Sequence, residues 1–189
     1  MYQPLRIEGR SVILEEIQPK YFANVIGWRN NKELNQFLNQ PYELTMELEQ
    51  KWFEKYIEDD TQGLMIMIDG KSGVAFGTVG WTDLNRKEKV CISGRVLVGN
   101  QRFSGTLQFI EGIILANDYL YQVLDLEKMY CHIVKENIKS VDFSKKMGFV
   151  EVTEACKYPN ELFVNGMEQI EYSRTKEQYL RVRKWIGLK

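Results

Sequence analysis

Asn137-Ile138-Lys139-Ser140-Val141-Asp142-Phe143-Ser144-Lys145-Lys146-Met147-Gly148-Phe149 is the stretch that decides the fold of this chain. Asn137 is suited to cap a helix, because its side-chain oxygen can accept an unpaired backbone N–H of the first turn. The helix is predicted to run for about two turns, to Met147. Gly148 suits the left-handed position just beyond a helix C-terminus, and a strand is predicted to resume at Phe149. These residues therefore predict a capped helix between two strands.

The complete pattern, N-x-x-S-x-x-x-x-x-K-x-G-F, resembles the segment that closes the cofactor-binding core of the GNAT superfamily of acetyl-CoA-dependent N-acetyltransferases. In that family the asparagine reaches toward the pantetheine arm of the cofactor, and the helix flanks the thiol. The resemblance therefore implies that Asn137, Ser140 and Lys146 bind acetyl-CoA. The alternative is an ordinary capped helix that binds no ligand, since the same residues would cap such a helix.

The composition indicates a folded globular protein: 44% of the 189 residues are hydrophobic and 12% are aromatic. We expect one domain over residues 1–189, with residues 175–189 as a helical tail of that domain. A net charge of −1 gives no global field to attract nucleic acid or an anionic membrane, so neither is expected as a partner. The apolar runs are too short to span a bilayer and the first residues lack a signal peptide, which favours a cytoplasmic protein.

The three cysteines, Cys91, Cys131 and Cys156, are odd in number and widely spaced. They form no C-x-x-C pair, which argues against a zinc site or a disulfide framework and fits a reducing cytoplasm. They are expected to be small buried residues on strands. Because His132 is the single histidine, a multi-histidine centre is excluded, and no metal is expected.

Periodicity, caps and turn residues predict the order of the other elements. Strands are predicted over 5–17, 64–68, 74–84, 89–98, 128–135, 149–158 and 167–173, with Asn165-Gly166 as a tight turn before the last one. Helices are predicted to open at Pro19, at Thr45, over 106–121, at Asn137 and after Thr175. This order resembles that of the GNAT fold, an α/β (α+β) architecture with a mixed, mostly antiparallel sheet of about seven strands, about four flanking helices and a short C-terminal helix.

The loop Arg102-Phe103-Ser104-Gly105-Thr106-Leu107 lies between a predicted strand and the long helix. A pyrophosphate needs converging backbone N–H groups at a helix N-terminus and small residues that let it approach. GNAT members supply both with a loop of the form Q/R-x-x-G-x-G/A, in which Arg102 and Gly105 match while Leu107 replaces the last small residue. The resemblance implies cofactor contacts from 102–106. A shifted register also stays open, with Gly105 in the final small position and Phe103 where a glycine is expected.

Acetyl transfer from a thioester to an amine needs a donor for the oxyanion and a proton for the departing thiolate. In the GNAT fold a backbone N–H of the strand before the loop serves the oxyanion, which by resemblance falls at Leu97 and Val98. Val98 is accordingly expected in catalysis, and both residues are expected to contact the cofactor. Many relatives place a tyrosine acid four residues beyond Ser140, where this chain has Ser144. Ser144 is therefore the candidate acid, unless it is simply a serine on the solvated face of the helix.

The general base has no clear candidate in the sequence. Some relatives carry a glutamate just before a glycine on the strand that precedes the loop, but Ile92-Ser93-Gly94 offers no carboxylate there. The other candidates are Glu111, Asp83, Glu168 and His132, and deprotonation through water is equally plausible.

Two aromatic-rich pieces concern the acceptor: Trp28-Arg29-Asn30, and Gln50-Lys51-Trp52-Phe53 in a helix predicted to bury Leu48, Trp52 and Tyr56. Similar pieces occur in acetyltransferases of ribosomal-protein alanine and of nucleotide-linked amino sugars. Arg29 and Trp81 are expected to line the acceptor cleft, since aromatic rings stack on sugars and cations meet phosphates. The resemblance therefore implies an N-acetyltransferase that takes acetyl-CoA and a primary amine, preferably an amino sugar. The alternatives are a protein N-terminal acetyltransferase and a CoA-binding module without catalysis, as a monomer or homodimer.

Overall fold

The computed structural model of the protein describes residues 2–38 and 40–187. In these residues nine strands form one sheet system. The strands are β1 (Arg6–Glu8), β2 (Val12–Glu16), β3 (Gly63–Asp69), β4 (Ala75–Asn85), β5 (Val90–Val98), β6 (Lys128–Val134), β7 (Val150–Glu151), β8 (Phe163–Val164) and β9 (Met167–Thr175). The α-helices are α1 (Phe22–Asn30), α2 (Met46–Tyr56), α3 (Leu107–Asp118), α4 (Ile138–Lys146) and α5 (Lys176–Ile186).

The strands follow the order β1-β2-β3-β4-β5-β6-β9-β7, with β8 paired to β9. β1 to β5 form an antiparallel meander, and the pairing of β5 with β6 is parallel because α3 carries the chain back across the sheet. A mixed, mostly antiparallel sheet with flanking helices was predicted, and that prediction is confirmed. Two more strands are present than predicted, since residues 5–17 form two strands and Phe163–Val164 forms β8.

The sequence predicts one strand over 5–17 with a turn-prone Glu8-Gly9-Arg10 near its start; the single strand is wrong, because the chain turns back at that point to make the β1–β2 hairpin. The buried carboxylate of Glu111 on α3 holds that turn by accepting the backbone N–H groups of Arg10, at 2.5 Å, and Ser11. A Cβ atom on Gly9 would lie 2.4 Å from this carboxylate, so the turn requires glycine. A contact between residues a hundred positions apart decides this hairpin.

The predicted caps Thr45 and Asn137 are confirmed, and Thr106 and Thr175, where two further helices were predicted to begin, also act as caps. The Thr45 side chain accepts the N–H of Leu48, the Thr106 side chain accepts that of Phe109, and the Asn137 side chain accepts that of Ser140. Thr175 opens α5 with a reciprocal capping box that involves Gln178. The predicted tail 175–189 is thus helical over Lys176–Ile186, while its last two positions lie outside the described residues.

The two faces of the sheet bury separate apolar cores. Helices α3, α4 and α5 cover one face, hereafter the α3 face, with Met65, Val79, Cys131 and Tyr179 among its core residues. Helices α1 and α2 cover part of the other face, hereafter the α2 face, where residues such as Phe53 pack. Successive strand residues point to opposite faces, so the register assigns each side chain to one of them.

The helix α2 buries only part of the predicted stripe. Tyr56 is buried and Trp52 half-buried as predicted, but Leu48 is 41% exposed, and Glu49 and Phe53 are buried instead. In α3 the predicted apolar face likewise fails at Leu107, which is 74% exposed. Both differences occur in the first turn, where the hydrophobicity of a residue does not report its burial.

The strand predicted over 149–158 is also wrong beyond β7, which holds only Val150–Glu151. Further on, the backbone N–H groups of Lys157 and Tyr158 bond the buried carboxylate of Glu171 on β9, at 2.7 and 2.9 Å. The Glu171 side chain therefore accepts two backbone N–H groups that would have bonded the neighbouring strand if β7 were longer. This segment arches across the α2 face beside β6.

Candidate active site

The geometry of the site begins with a gap between β5 and β6. The two strands pair only over Val90↔Lys128, Cys91↔Met129 and Ile92↔Tyr130. The structure describes every residue of both strands, yet none of 93–98 pairs with any of 131–134. The strands therefore splay apart and leave a wedge that opens toward the loop before α3.

An irregularity in β5 accompanies this splay. The register to β4 passes from Gly80↔Gly94 to Thr78↔Leu97, so β5 contains one extra residue, and Arg95 adopts a left-handed φ of 54°. The Thr78 hydroxyl donates to the Arg95 carbonyl at 2.6 Å and holds the bulge. Successive N–H groups point to opposite strand edges, so one of Leu97 and Val98 directs its N–H into the wedge. That is the arrangement expected of an oxyanion donor.

The wide end of the wedge faces a turn with free backbone donors. Gln101–Phe103 forms a 3-10 turn, and the N–H groups of Arg102, Phe103, Ser104 and Thr106 are already bonded within it. Among the described residues, nothing accepts the N–H groups of Gly105, Leu107 or Gln108. Three donors thus converge at the start of α3, where the helix dipole favours an anion.

Gly105 fits the role that the sequence assigns to it. Its φ is +70°, and a Cβ built on it would meet nothing within 4 Å, so the space above this turn is open. Arg102 and Ser104 are exposed beside it, and Arg102 forms no ion pair with any described residue. The side chain of Phe103, in contrast, stacks on Phe76 at 4.3 Å and belongs to the core. Its backbone N–H is bonded within the turn, so Phe103 packs and offers no free donor to a ligand.

Helix α4 flanks the other side of the wedge. The Asn137 oxygen caps the helix through Ser140 at 3.2 Å, while its side-chain nitrogen bonds none of the described residues. Lys146 lies exposed in the last turn, on the far end of the helix from Asn137. The structure therefore brings Asn137 and Ser140 together and leaves Lys146 about two turns away.

Ser144 faces the sheet rather than open solvent. Its side chain forms a hydrogen bond with the Cys131 thiol of β6, which partly offsets the effect of burial on that group. Burial raises the pKa of Cys131 to about 12, so its thiol stays protonated and inert at neutral pH. Ser144 thus borders the wedge from the α3 face.

The α2 face of the wedge holds several buried charges. The Arg95 guanidinium lies over the Trp52 ring at 5.8 Å and donates to Gln62 at 2.5 Å, while its Nη1 is buried without a partner among the described residues. Arg29 at the end of α1 donates to Gln40 at 2.7 Å. Burial lowers the pKa of both arginines, and each lies within electrostatic range of the other.

Glu49 on α2 is the counter-charge nearest to Arg29. It is 4% exposed, and no described residue donates a hydrogen bond to its carboxylate. Burial raises the pKa of Glu49, and the attraction of Arg29 opposes that rise. The α2 face beside the wedge therefore carries the buried carboxylates of Glu49 and Glu171 as well as the two arginines.

Trp81 does not join Arg29. The register Gly63↔Trp81 follows Met65↔Val79, which puts Trp81 on the α3 face, 6% exposed and in contact with Tyr119 at 5.7 Å. Gly63 leaves room for the ring, since a Cβ there would lie 2.1 Å from it. Trp81 instead borders a cavity of about 240 Å³ at the far end of the sheet.

Three of the four candidate bases have partners among the described residues. Glu111 is bound to the β1–β2 turn, and Glu168 forms an exposed pair with Lys135 at 3.5 Å. Asp83 lines an open cavity of about 480 Å³ on the α2 face together with Tyr158. The fourth candidate, His132, lies on the wedge side of β6 and bonds Glu171 at 2.9 Å.

The described residues, 2–38 and 40–187, contain no group of three His, Cys, Asp or Glu side chains that could hold a metal ion. In the same part of the chain, no helix is both long and apolar enough to cross a membrane. Cys91 and Cys131 are buried on strands as predicted, whereas Cys156 is half-buried outside any strand.

Sequence reasoning missed Arg95, Glu49 and Glu171. Arg95 follows Ser93-Gly94, a glycine in a strand that signals a bulge. Glu49 and Glu171 gave no signal, because a charged residue in an amphipathic element is usually exposed. Their burial depends on what packs above them.

A sequence model of the family described as Acetyltransferase (GNAT) domain matches residues 11–150. Among curated proteins, the chain is 26% identical over 158 residues to a spermidine N(1)-acetyltransferase of Vibrio cholerae, covering 84% of this chain and 85% of that protein. It is also 26% identical over 183 residues to the spermidine N(1)-acetyltransferase of Escherichia coli K12, covering 95% and 94%.

Solved structures share the fold. A spermidine N-acetyltransferase from Vibrio cholerae in complex with CoA and spermine superposes with a TM-score of 0.76 at 21% identity, over 90% of this chain and 98% of that one. Apo FdhC, a nucleotide-linked sugar GNAT, gives 0.77 at 17% identity, over 98% of both chains. The fold that the order of elements predicted is thereby confirmed.

Proposed function

The chain belongs to the GNAT acetyltransferase family, and we propose that it transfers an acetyl group from acetyl-CoA to a primary amine of a small molecule. The observation that carries this proposal is the wedge between β5 and β6, with the free N–H groups of Gly105, Leu107 and Gln108 at its wide end. A pyrophosphate suits those donors, and a pantetheine arm suits the wedge. The similar structure with bound CoA supports the same assignment.

Each residue of the site has a separate role in the proposed function. Arg102 and the free N–H groups of Gly105, Leu107 and Gln108 hold the pyrophosphate, Asn137 and Ser140 hold the pantetheine arm, and Lys146 adds charge nearby. The N–H of Leu97 or Val98 stabilises the oxyanion that forms when the amine attacks the thioester. Ser144 is proposed to assist the thiolate, which needs little help because its conjugate acid has a pKa of about 8.5.

We propose further that the acceptor carries an anionic group as well as its amine, as a nucleotide-linked amino sugar does. Arg95 has an unsatisfied buried N–H and no carboxylate within ion-pair distance among the described residues, and Arg29 lies close by. Guanidinium groups in such surroundings suit phosphate or carboxylate. A polycation would meet their repulsion.

A polyamine is the second candidate acceptor. The curated relatives are spermidine acetyltransferases, and Asp83 offers an unpaired carboxylate in the neighbouring cavity. Asp83 would attract an ammonium group there. The KM values for the two candidate acceptors should therefore change in opposite directions when Arg95 is replaced.

The test incubates the protein with acetyl-CoA and, separately, spermidine, a nucleotide-linked amino sugar and a peptide with an N-terminal alanine. Acetylated product is detected by mass spectrometry. We expect product with the amino sugar, and Arg95→Gln should raise the KM for that acceptor about tenfold while the KM for acetyl-CoA stays unchanged. Arg181→Gln, which removes an exposed partner of Glu177 on α5, is the matched control.

Acetylation of spermidine with a lower KM in Arg95→Gln would favour the polyamine instead. Product only from the peptide would favour a protein N-terminal acetyltransferase. CoA binding in calorimetry without any product would favour a binding module and overturn the enzymatic proposal.

A further inference from the structure

The strongest unassigned feature of the wedge is the buried pair of His132 and Glu171. The two residues face each other across β6 and β9, and their side chains are 5% and 0% exposed. His132 Nε2 lies 2.9 Å from one carboxylate oxygen of Glu171. The backbone donors of Lys157 and Tyr158 bond the same carboxylate.

These bonds fix the tautomer of the imidazole. The Glu171 carboxylate accepts the backbone N–H groups of Lys157 and Tyr158. A carboxylate cannot donate, so Nε2 of His132 must carry the proton and Nδ1 must hold the lone pair. Nδ1 bonds no described residue. The pair therefore presents a free basic nitrogen, oriented by a buried anion.

The position of His132 brings that nitrogen to the acceptor side. Cys131 and Ile133 lie in the core of the α3 face, so His132 points to the α2 face between them. Continuing the parallel register of Ile92↔Tyr130 places His132 opposite Gly94, where the strands have separated. A Cβ on Gly94 would meet nothing within 4 Å, so the space beside β5 is open at this point of the wedge.

We propose that His132 is the general base of the acetyl transfer and that Glu171 is its positioning residue, a step that rests on the proposed function. His132 Nδ1 takes a proton from the acceptor ammonium, directly or through one water, and becomes imidazolium beside the Glu171 carboxylate. The free amine then attacks the thioester carbonyl. The C–N bond forms, the C–S bond breaks, and the second amine proton passes to the thiolate.

The groups around the imidazole favour this role. Glu171 of β9 supplies the counter-charge, and Tyr158 sets its ring edge against the imidazole at 5.9 Å and 90°. Burial raises the pKa of Tyr158 to about 12, so the phenol is neutral at working pH. Tyr130 on the same strand packs edge-on against Tyr158, and the cations on this side are Arg95 of β5, Arg29 of α1 and Lys128, which lies over the Tyr130 ring at 4.9 Å.

The first test is independent of the acceptor. His132 is the only histidine of the chain, so a sample labelled with ¹⁵N-histidine gives a single imidazole spin system. Nitrogen shifts above the titration range should show Nε2 protonated and Nδ1 bare. A proton on Nδ1 in the neutral ring would overturn the proposal, since that nitrogen could not then accept another.

The second test is kinetic, with the acceptor and the amine panel described above. His132→Gln should lower kcat about a hundredfold, leave the KM for acetyl-CoA unchanged, and remove the acid limb of the pH–rate profile. Lys135→Gln, at an exposed pair beside β6, is the matched control. Glu171→Gln should shift the acid limb of the pH–rate profile to lower pH, because the imidazolium loses its counter-charge. If the Glu171→Gln protein does not fold, the kinetics of His132→Gln alone test the proposal.

A folded His132→Gln protein that keeps kcat within twofold and retains the acid limb overturns the role of His132 while leaving acetyl transfer intact. Absence of product from the wild-type protein with every amine overturns the proposed function itself. The two failures are therefore distinguishable.

Discussion

At the scale of single residues, the contacts of this protein separate side chains that cap or pack from those left free for ligands. Asn137 does both, since its oxygen caps α4 and its nitrogen stays free. Phe103 only packs, although the loop pattern placed it among cofactor contacts. A residue in a binding motif can therefore offer its backbone, its side chain or neither to the ligand. Its contacts in the folded structure show which of these applies.

The first residue-scale prediction concerns Gly105. Gly105→Val should abolish the thermal protection that CoA gives, because a branched side chain would occupy the space above the free donors and strain a φ of +70°. Gly73→Val is the matched control, since Gly73 has a φ of +69° and equally open surroundings in the β3–β4 turn. The shift in Tm with CoA measures the effect. If both variants lose stability alike but still respond to CoA, the phosphate loop is misplaced.

Asn137 and Ser144 should separate binding from chemistry. Asn137→Ala should raise the KM for acetyl-CoA and cost about 1 kcal/mol of stability, through the lost cap. Ser144→Ala should lower kcat by about tenfold without changing that KM, since a thiolate is already a fair leaving group. Steady-state kinetics on both variants provide the measurement. An unchanged kcat in Ser144→Ala, with chemistry rate-limiting, would show that water or another group serves as the acid.

At the scale of elements, buried polar side chains join the helices to the sheet. Arg174 on β9 is 0% exposed and donates to the Met147 carbonyl at 2.7 Å and to Asn117 at 2.9 Å. Its guanidinium lies 4.2 Å from the Phe149 ring centre and 4.8 Å from that of Tyr179. One side chain therefore links the end of α3, the end of α4 and the face of α5.

Removal of Arg174 should loosen all three helices. Arg174→Met leaves the Met147 carbonyl and the Asn117 amide oxygen buried without donors, which should lower the free energy of unfolding by about 2–4 kcal/mol. Arg181→Met, at an exposed pair with Glu177, should change it by less than about 0.5 kcal/mol. Urea titration measures both. Adding Asn117→Leu should restore part of the loss, and strict additivity of the two changes would contradict the proposed link.

Asp125 connects the β4–β5 turn to α5 through Lys89, at 2.5 Å, and Lys176, at 2.7 Å. These partners lower its pKa from 3.8 to about 2. The folded pKa is depressed, so the stabilisation is complete above the unfolded value near 4 and is lost as pH falls toward 2. Asp125→Asn should therefore lower Tm slightly at pH 7, by about 2 °C, with the gap closing in acid.

Thermal scans between pH 7 and pH 2 check this prediction, and added salt should reduce the difference because both pairs are exposed. A constant gap across that range would mean that Asp125 acts through packing and not through its charge.

At the scale of the whole molecule, the proposed cofactor site is assembled from four elements that are distant in sequence. β5, β6, the start of α3 and the start of α4 each supply one wall or one set of donors. Such a site exists only in the folded chain. The expectation of a single domain stays a prediction, as do the proposed roles of the individual site residues.

CoA should therefore stabilise the whole protein. A ligand that binds only the folded state adds about 2.7 kcal/mol at a concentration of 100 Kd, which raises Tm by several degrees in a domain of this size. Differential scanning fluorimetry across a CoA series measures the rise. Pantetheine without the nucleotide should protect less, since it cannot use the donors at Gly105. Equal protection by both compounds would contradict the assignment of the phosphate site.

The sequence by itself determined the family resemblance, the order of elements and the caps at Thr45 and Asn137. Caps and turns are local: a side chain reaches a backbone group two or three residues away, so neighbouring letters suffice to predict them. The Asn165-Gly166 turn belongs to the same class, and both residues have positive φ in the β8–β9 hairpin.

Only the tertiary structure decided the β1–β2 hairpin, the short β7, the face of Trp81 and the pairing of His132 with Glu171. Each depends on contacts between residues far apart in the chain, such as Glu111 with Ser11. Register assigns a strand residue to one face or the other, and a buried carboxylate redirects backbone donors that would otherwise extend a strand. Neither effect is encoded in a local pattern, because both arise when distant segments compete for the same hydrogen bonds and the same buried space.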